Sequence, residues 1–99
     1  MKTFNDLKVG DYVYDVSGML NVYKNKIIKI EKTEGFIWIT SDNGLYEIED
    51  NSYDRITWAG TMFADKEMAI KSLKNRIHKY QELIDKGLSN IKELENENI

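Results

Sequence analysis

The sequence predicts a mainly β domain that ends in a C-terminal α-helix, which is an α+β fold class. Five short segments rich in β-branched and aromatic residues follow one another within residues 5–60. Turn residues separate them at the spacing of a small, five-stranded barrel. From Asp65 onward the apolar residues change to helical spacing. Because 99 residues is the length of one domain, we expect a single domain, 1–99, with a helix at 64–86 docked on one face of the barrel.

The first predicted strand follows a Gly-Asp turn. Residues 8–11 (KVGD) turn the chain, and residues 12–16 (YVYDV) have high strand propensity. A loop at residues 17–21 (SGMLN) then leads into the second strand.

The second and third strands form the most apolar stretch, residues 25–40 (NKIIKIEKTEGFIWIT). The predicted hairpin turns at Gly35, which can adopt the positive φ that such a turn requires. Both arms are apolar on both faces, whereas a hairpin with one solvated face alternates. We therefore expect another element to cover the face that carries Phe36 and Trp38.

Asn43-Gly44 is the strongest local turn signal, since this pair supplies the two positive-φ residues of a type I′ hairpin turn. It predicts a fourth strand at residues 45–49. A polar loop at residues 50–54 precedes a short fifth strand at residues 55–58.

Residues 8–13 (KVGDYV) resemble the K-x-G-D-x-V opening of SH3-like small barrels, including KOW and Tudor-like domains. With the strands that follow, the resemblance covers residues 6–59. It implies a five-stranded SH3-like barrel in which the Gly-Asp turn starts the first strand and Val13 points inward. The short 3₁₀ turn before the last strand of such barrels has no clear counterpart here.

The helical segment has start and stop signals. Asp65 is a suitable N-cap, and Gly87 followed by Leu88 suits a Schellman C-terminus. Residues 88–99 then form a short acidic helix or a frayed tail. A helix of this length is marginal alone in water, so we expect it to pack on the Phe36 and Trp38 face. Its apolar residues are Met68, Ile70, Leu73, Ile77, Tyr80, Leu83 and Ile84.

An alternative interpretation of the same segment is a coiled coil. Ile70, Ile77, Ile84 and Ile91 recur every seven residues, which is typical of the a positions of a heptad. Gly87 falls at a d position, where it costs about 1 kcal/mol relative to alanine and fills no hole. We therefore expect a monomer rather than a homodimer, with a helix-mediated homo-oligomer as the alternative.

The net charge of −3 is unevenly distributed: residues 41–65 and 80–99 are acidic, and residues 66–79 are basic. The absence of cysteine excludes disulfides and thiolate chemistry. No apolar run is long enough to span a bilayer, and the first residues contain acidic side chains where a signal peptide is apolar. The sequence therefore predicts a cytoplasmic protein with no membrane association.

Residues that could support catalysis or metal binding are few. His78 has no second histidine or cysteine to act with it, and the serines lie in no nucleophile-elbow context. Residues 50–54 (DNSYD) resemble the start of a calcium loop, but Arg55 and Thr61 replace its essential Gly and Glu. We expect no enzyme activity, cofactor or metal.

Our first hypothesis is a non-enzymatic protein-interaction module. The composition of the chain, rich in Ile, Lys and Asn, is typical of an AT-rich bacterium or its phage. A small accessory or inhibitor protein would suit such an origin. Exposed tyrosines and acidic residues would form the binding face, with an unidentified protein partner. The candidates are Tyr12, Tyr14, Tyr53, Glu47, Glu49, Asp50 and Asp54.

Two further roles stay open. Tudor-like barrels hold methylated cations in aromatic cages, and the tyrosines and tryptophans here are numerous enough to supply one. Nucleic-acid binding is the other, through a basic helix face and lysines of the second strand. The candidates for that role are Lys24, Lys26, Lys29, Lys71, Lys74, Arg76 and Lys79.

Overall fold

The computed structural model describes residues 2–97. It confirms the mainly β class with a C-terminal helix. The last two residues of the predicted acidic segment 88–99 lie outside the described part of the chain. A 3₁₀ turn, Phe4–Asp6, is followed by β1 Tyr12–Ser17, β2 Val22–Thr33, β3 Phe36–Ser41, β4 Gly44–Glu49, β5 Asp54–Ile56, β6 Gly60–Phe63 and α1 Lys66–Glu95.

The strands form one antiparallel sheet, in the order β4-β3-β2-β1-β6-β5, which curves into a nearly closed barrel. Its two edges, β4 and β5, are bridged by a side chain. Arg55 Nε donates a hydrogen bond to the Glu47 carbonyl oxygen at 2.8 Å. The same guanidinium lies 5.6 Å from the centroid of the Tyr46 ring, within cation–π range.

The sequence predicted five strands, whereas the structure has six within residues 2–97. The additional strand is β6, which pairs with both β1 and β5. Gly60 at its start has the sequence appearance of a turn residue, yet it is needed for the close contact between β6 and β1. A Cβ at Gly60 would lie 2.0 Å from the Val16 carbonyl oxygen, so only glycine fits this position.

Apolar side chains fill one end of the barrel interior. Val13 is fully buried, as the resemblance implied, and Gly10 before it has φ +95°. Phe4 and Leu7 complete the core near the start of β1. The buried core residues are Phe4, Leu7, Val13, Ile27, Ile37, Ile39, Ile48, Met62 and Ala64.

The helix packs on the outer face of β1 and β6, not on the Phe36 and Trp38 face that the sequence predicted. Only Ala64 and Asp65 connect β6 to α1, so the helix starts beside β6. Phe36 is exposed and Trp38 half-buried on β3. The docked face buries Val16, Phe63 and Ala69, with Tyr14, Met68 and Leu73 packed around them.

The predicted helix end at Gly87 is also wrong, because α1 is continuous from Lys66 to Glu95. It begins as predicted at Asp65, whose carboxylate accepts a hydrogen bond from the Glu67 amide at 3.0 Å. Every residue from Gln81 to Glu95 is exposed, and the molecule measures 66 × 24 × 22 Å. The second half of α1 therefore projects beyond the barrel. Within the described residues, no helix has the length and apolarity to cross a membrane.

Candidate binding site at the open end of the barrel

The two ends of the barrel differ in their inward-facing residues. Along β1, inward-facing Val13 is followed in the same strand phase by Asp15 and Ser17. Along β2, the inward residue before Ile27 is Asn25, which pairs with Val13 across the ladder. Polar side chains therefore replace apolar ones inside the barrel towards the end where β1 finishes and β2 begins. A cavity of about 780 Å³ opens there.

The floor of the cavity is polar and well buried. Asp15 is 8% exposed and accepts a hydrogen bond from the Thr57 hydroxyl, at 3.2 Å and 3.4 Å from its two oxygens. Asn25 is 3% exposed, and its Oδ1 accepts from Asn43 Nδ2 at 2.6 Å. Carboxylates retain several acceptor positions. The Asp15 carboxylate therefore keeps acceptor capacity towards the cavity.

The rim of the cavity is apolar and aromatic. Tyr23 and Tyr46 extend from β2 and β4, and Trp58 lies in the turn between β5 and β6. Met19 in the β1–β2 loop and Trp58 are among the most exposed apolar side chains of the described chain. A concave apolar surface with a few convergent polar groups is the usual form of a ligand site.

The helix holds one side of this rim in place. Arg76 Nη1 donates to the Ser17 carbonyl oxygen at 2.7 Å. The Tyr80 hydroxyl donates to the Gly18 carbonyl oxygen. These two bonds join the last docked turns of α1 to the loop that carries Met19. The helix therefore positions part of the cavity wall as well as covering β1.

The cavity has an acidic side chain and no basic one. Among the lining residues that the structure describes, Asp15 is the one carboxylic acid, and none is Lys, Arg or His. Arg55 lies near Tyr46, but its guanidinium is bonded to the carbonyl oxygens of Glu47 and Ile56. A buried carboxylate with aromatic faces around it favours a positively charged ligand group.

The predicted protein-binding residues fall into two separate groups. The acidic ones lie near the β4 and β5 edges, and Tyr53 immediately precedes β5. Tyr12 and Tyr14 lie on β1, separated from β5 by β6 and from β4 by β2 and β3. Tyr14 packs against the helix cluster. The acidic group is Glu47, Glu49, Asp50 and Asp54, of which Asp50 accepts a bond from Asn5 Nδ2 at 3.2 Å.

The predicted nucleic-acid-binding residues also lie in more than one place. Lys24 and Lys26 pair with Tyr14 and Tyr12 across the β1–β2 ladder, and Lys24 Nζ lies 4.1 Å from the Tyr12 ring centroid. Lys29 forms an ion pair with Glu31 at 2.5 Å. The helix residues Lys71, Arg76 and Lys79 together line a shallow groove beside Phe63 and Met68. Arg76 is also bonded to the barrel, and Lys74 is exposed.

Asp15 and Asn25 were not among the predicted site residues. Strand phase could have identified them, since each lies two residues from a core residue on the same strand face, Val13 and Ile27 respectively. Elsewhere, His78 Nε2 and Glu82 Oε1 are 3.0 Å apart, both exposed on the helix. Within residues 2–97, no three acidic, histidine or cysteine side chains converge as a metal site would require.

Comparison of the chain with known protein families, with curated proteins and with solved structures found no match.

Proposed function

We propose that this protein is a non-enzymatic protein-interaction module that receives a positively charged side chain of a partner in the open end of its barrel. The observation that carries this proposal is Asp15, a buried carboxylate with one hydroxyl donor at the base of an aromatic-rimmed cavity. Arginine or lysine from a protein partner would supply further donors to this carboxylate and stack on the rings.

We further propose that the barrel is SH3-like. Three features support this assignment: β1 lies between β2 and β6, Gly10 takes a positive φ before the strand, and Val13 points inward. The Lys8 amide donates to Asp11 Oδ2 at 2.8 Å, which stabilises the Gly-Asp turn.

Binding fits the cavity better than catalysis does. Nucleophilic catalysis by a hydroxyl normally uses an adjacent base that is itself oriented by a third group. Asp15 has the neutral Thr57 hydroxyl as its neighbour. The cavity therefore supports recognition of a charged group, with a protein partner as the source of that group.

The proposal is tested by titrating the isotope-labelled protein with the tripeptides Gly-Arg-Gly and Gly-Lys-Gly, with Gly-Glu-Gly as the reference peptide. We expect changes in the NMR chemical shifts of the Asp15, Tyr23 and Trp58 amides and of the Trp58 indole. These changes should occur with the two basic peptides and not with the acidic one. In D15N the affinity for the basic peptides should fall about tenfold, because the loss of one charge-assisted hydrogen bond has an effect of this size.

The matched control is D54N, which removes an exposed carboxylate on β5 and should leave the titration unchanged. Equal shifts with the acidic peptide, or D15N binding as tightly as the unmodified protein, would show that the site does not select cations.

Nucleic-acid binding is a second candidate, favoured by one observation. On the outer face of β1 and β2, the exposed Tyr12 ring lies opposite Lys26 and 4.1 Å from Lys24 Nζ, so an aromatic ring lies among ammonium groups. Such surfaces can stack bases and neutralise phosphates. Anisotropy of a labelled single-stranded oligonucleotide at two salt concentrations tests it. Salt-sensitive binding that is lost in K24E/K26E supports this role, and absent binding removes it.

A further inference from the structure

The projecting half of α1, residues 81–95, carries an apolar stripe that the barrel does not cover. Leu83, Ile84, Leu88, Ile91 and Leu94 are each between 52% and 64% exposed. At about 1.5 Å per residue, this segment extends roughly 20 Å beyond the docked part of the helix. Contiguous apolar surface of this kind marks an interaction site in a soluble domain.

We propose that this stripe pairs antiparallel with the same segment of a second copy of the chain. The proposal is independent of the ligand at the barrel end. Its first support is the spacing. Ile84 and Ile91 alternate with Gly87 and Leu94 at intervals of three and four residues, which is the seam of a self-complementary helix pair.

The position of the barrel limits how the two copies overlap. The stripe continues the face of α1 that docks on β1 and β6, so a second helix on it meets the barrel rim near Tyr80. An antiparallel pair centred at Ser89 uses the free segment alone. It places Ile84 opposite Leu94 and Gly87 opposite Ile91 of the second copy. The large Ile91 then fills the space that Gly87 leaves.

The area of the stripe is sufficient for a dimer. Five large apolar side chains, each more than half exposed, offer on the order of 500 Å² per helix, and flanking methylenes add to this. The total of roughly 1,200 Å² for both copies is at the lower limit of stable protein interfaces. A dimer with a dissociation constant in the micromolar range would be consistent with that area.

The charge along α1 selects the antiparallel orientation. Residues 66–79 contain five Lys or Arg and one Glu, whereas residues 80–97 contain two Lys and five acidic residues. Both orientations pair the acidic segment with itself, but parallel pairing would place Glu93, Glu95 and Glu97 beside the same three residues of the second copy. Antiparallel pairing moves Glu95 and Glu97 of each copy towards the basic segment that ends at Lys79 in the other. It also opposes the two helix dipoles.

The test is the mass in solution, measured by sedimentation equilibrium from micromolar to submillimolar concentrations. The chain has a mass of 11.6 kDa, and we expect twice this value at the upper concentrations. I91D should raise the dissociation constant by a factor of about ten or more, because it buries a charge in the seam. S89D adds the same charge on the polar face and should leave the dimer intact.

A single-chain mass throughout, or I91D assembling as tightly as the unmodified protein, would overturn the proposal. Ile91 is exposed and distant from the barrel, so I91D should retain the circular dichroism spectrum of the fold. A retained spectrum with lost assembly therefore separates the interface from folding.

Orientation is tested by disulfide cross-linking, since the chain has no native cysteine. We expect an equimolar mixture of Q81C and E95C to form disulfide-linked dimers between the two variants, with little linkage in either variant alone. Efficient self-linkage of L94C would indicate parallel helices and would contradict the proposed arrangement.

Discussion

The two halves of α1 have the same apolar pattern and different surroundings. In the first half, Ala69 is buried and Leu73 packs against the outer face of the barrel. In the second half, Leu83 and Leu88 have the same helical periodicity but are exposed. The same helical spacing therefore occurs on a face that the barrel buries and on a face that it leaves exposed. Spacing alone does not show whether the chain itself covers a helix face.

The boundary between the halves is chemical as well as geometric. Arg76 and Tyr80 end the docked half with hydrogen bonds to the Ser17 and Gly18 carbonyl oxygens. From Gln81 onward every residue of α1 is exposed. The barrel is shorter than the helix, so its stabilising contacts stop where its rim stops.

The largest effect is expected from removing the strand pairing on which the docked half rests. G60A would place a Cβ 2.0 Å from the Val16 carbonyl oxygen and so displace β6 from β1. We expect a loss of about 3 kcal/mol in the free energy of unfolding, measured by urea denaturation. The control is G18A, since a Cβ at Gly18 meets nothing within 4 Å; it should change the midpoint little.

A pair of identical substitutions compares the two halves directly. L73D places a charge against the barrel and should lower the free energy of unfolding by about 2 kcal/mol. L88D alters an exposed position of the projecting half and should leave barrel stability within about 0.5 kcal/mol, measured at a concentration where the chain is monomeric. Equal losses in both variants would mean that the projecting half contributes to the folded domain by itself.

A smaller effect is expected at the boundary. Y80F removes the hydroxyl that donates to Gly18 and should cost about 1 kcal/mol. The loss should be local: amide hydrogen exchange should accelerate in residues 17–21 and remain unchanged in β3. Uniform acceleration across the barrel would show that Tyr80 supports the whole fold rather than the rim.

The smallest effect is expected in the projecting half. Gly87 lies inside a continuous helix with open space around its Cα, so G87A should increase helix stability by up to about 1 kcal/mol. Helical ellipticity at intermediate temperature measures this gain, at a concentration where the chain is monomeric, because the proposed pairing places Ile91 of a second copy against Gly87. A decrease in the ellipticity of the monomer would contradict the expected gain.

Much of the fold was predictable from local patterns. The turn at Gly35, the helix start at Asp65 and the burial of Val13 all appear where the sequence predicted them. The missed features depend on distant residues. Gly60 was interpreted as a turn residue because its close contact with Val16 is not visible in the neighbouring sequence. Gly87 was interpreted as a helix end because the sequence does not distinguish a glycine inside a helix from one at its end.

The candidate site was less predictable than the fold. Tyr23, Tyr46 and Trp58 were visible as an excess of aromatic residues, but nothing local indicated that they rim one cavity. Asp15 received no separate interpretation, because an aspartate within a strand is usually on its solvated face. It is buried because the β5–β6 turn brings the Thr57 hydroxyl over it, a contact between residues 42 positions apart.

The sequence by itself determined the mainly β class, the start of the terminal helix and its apolar stripe, because these follow from side-chain periodicity and turn chemistry within a few residues. Tertiary structure alone decided the sixth strand, the face on which the helix docks, and the polar open end of the barrel. Those features depend on which distant surfaces meet, and on how far the barrel reaches along the helix. The conformational preferences of neighbouring residues determine neither the contacts between distant surfaces nor the extent of the barrel along the helix, since both arise when the sheet closes.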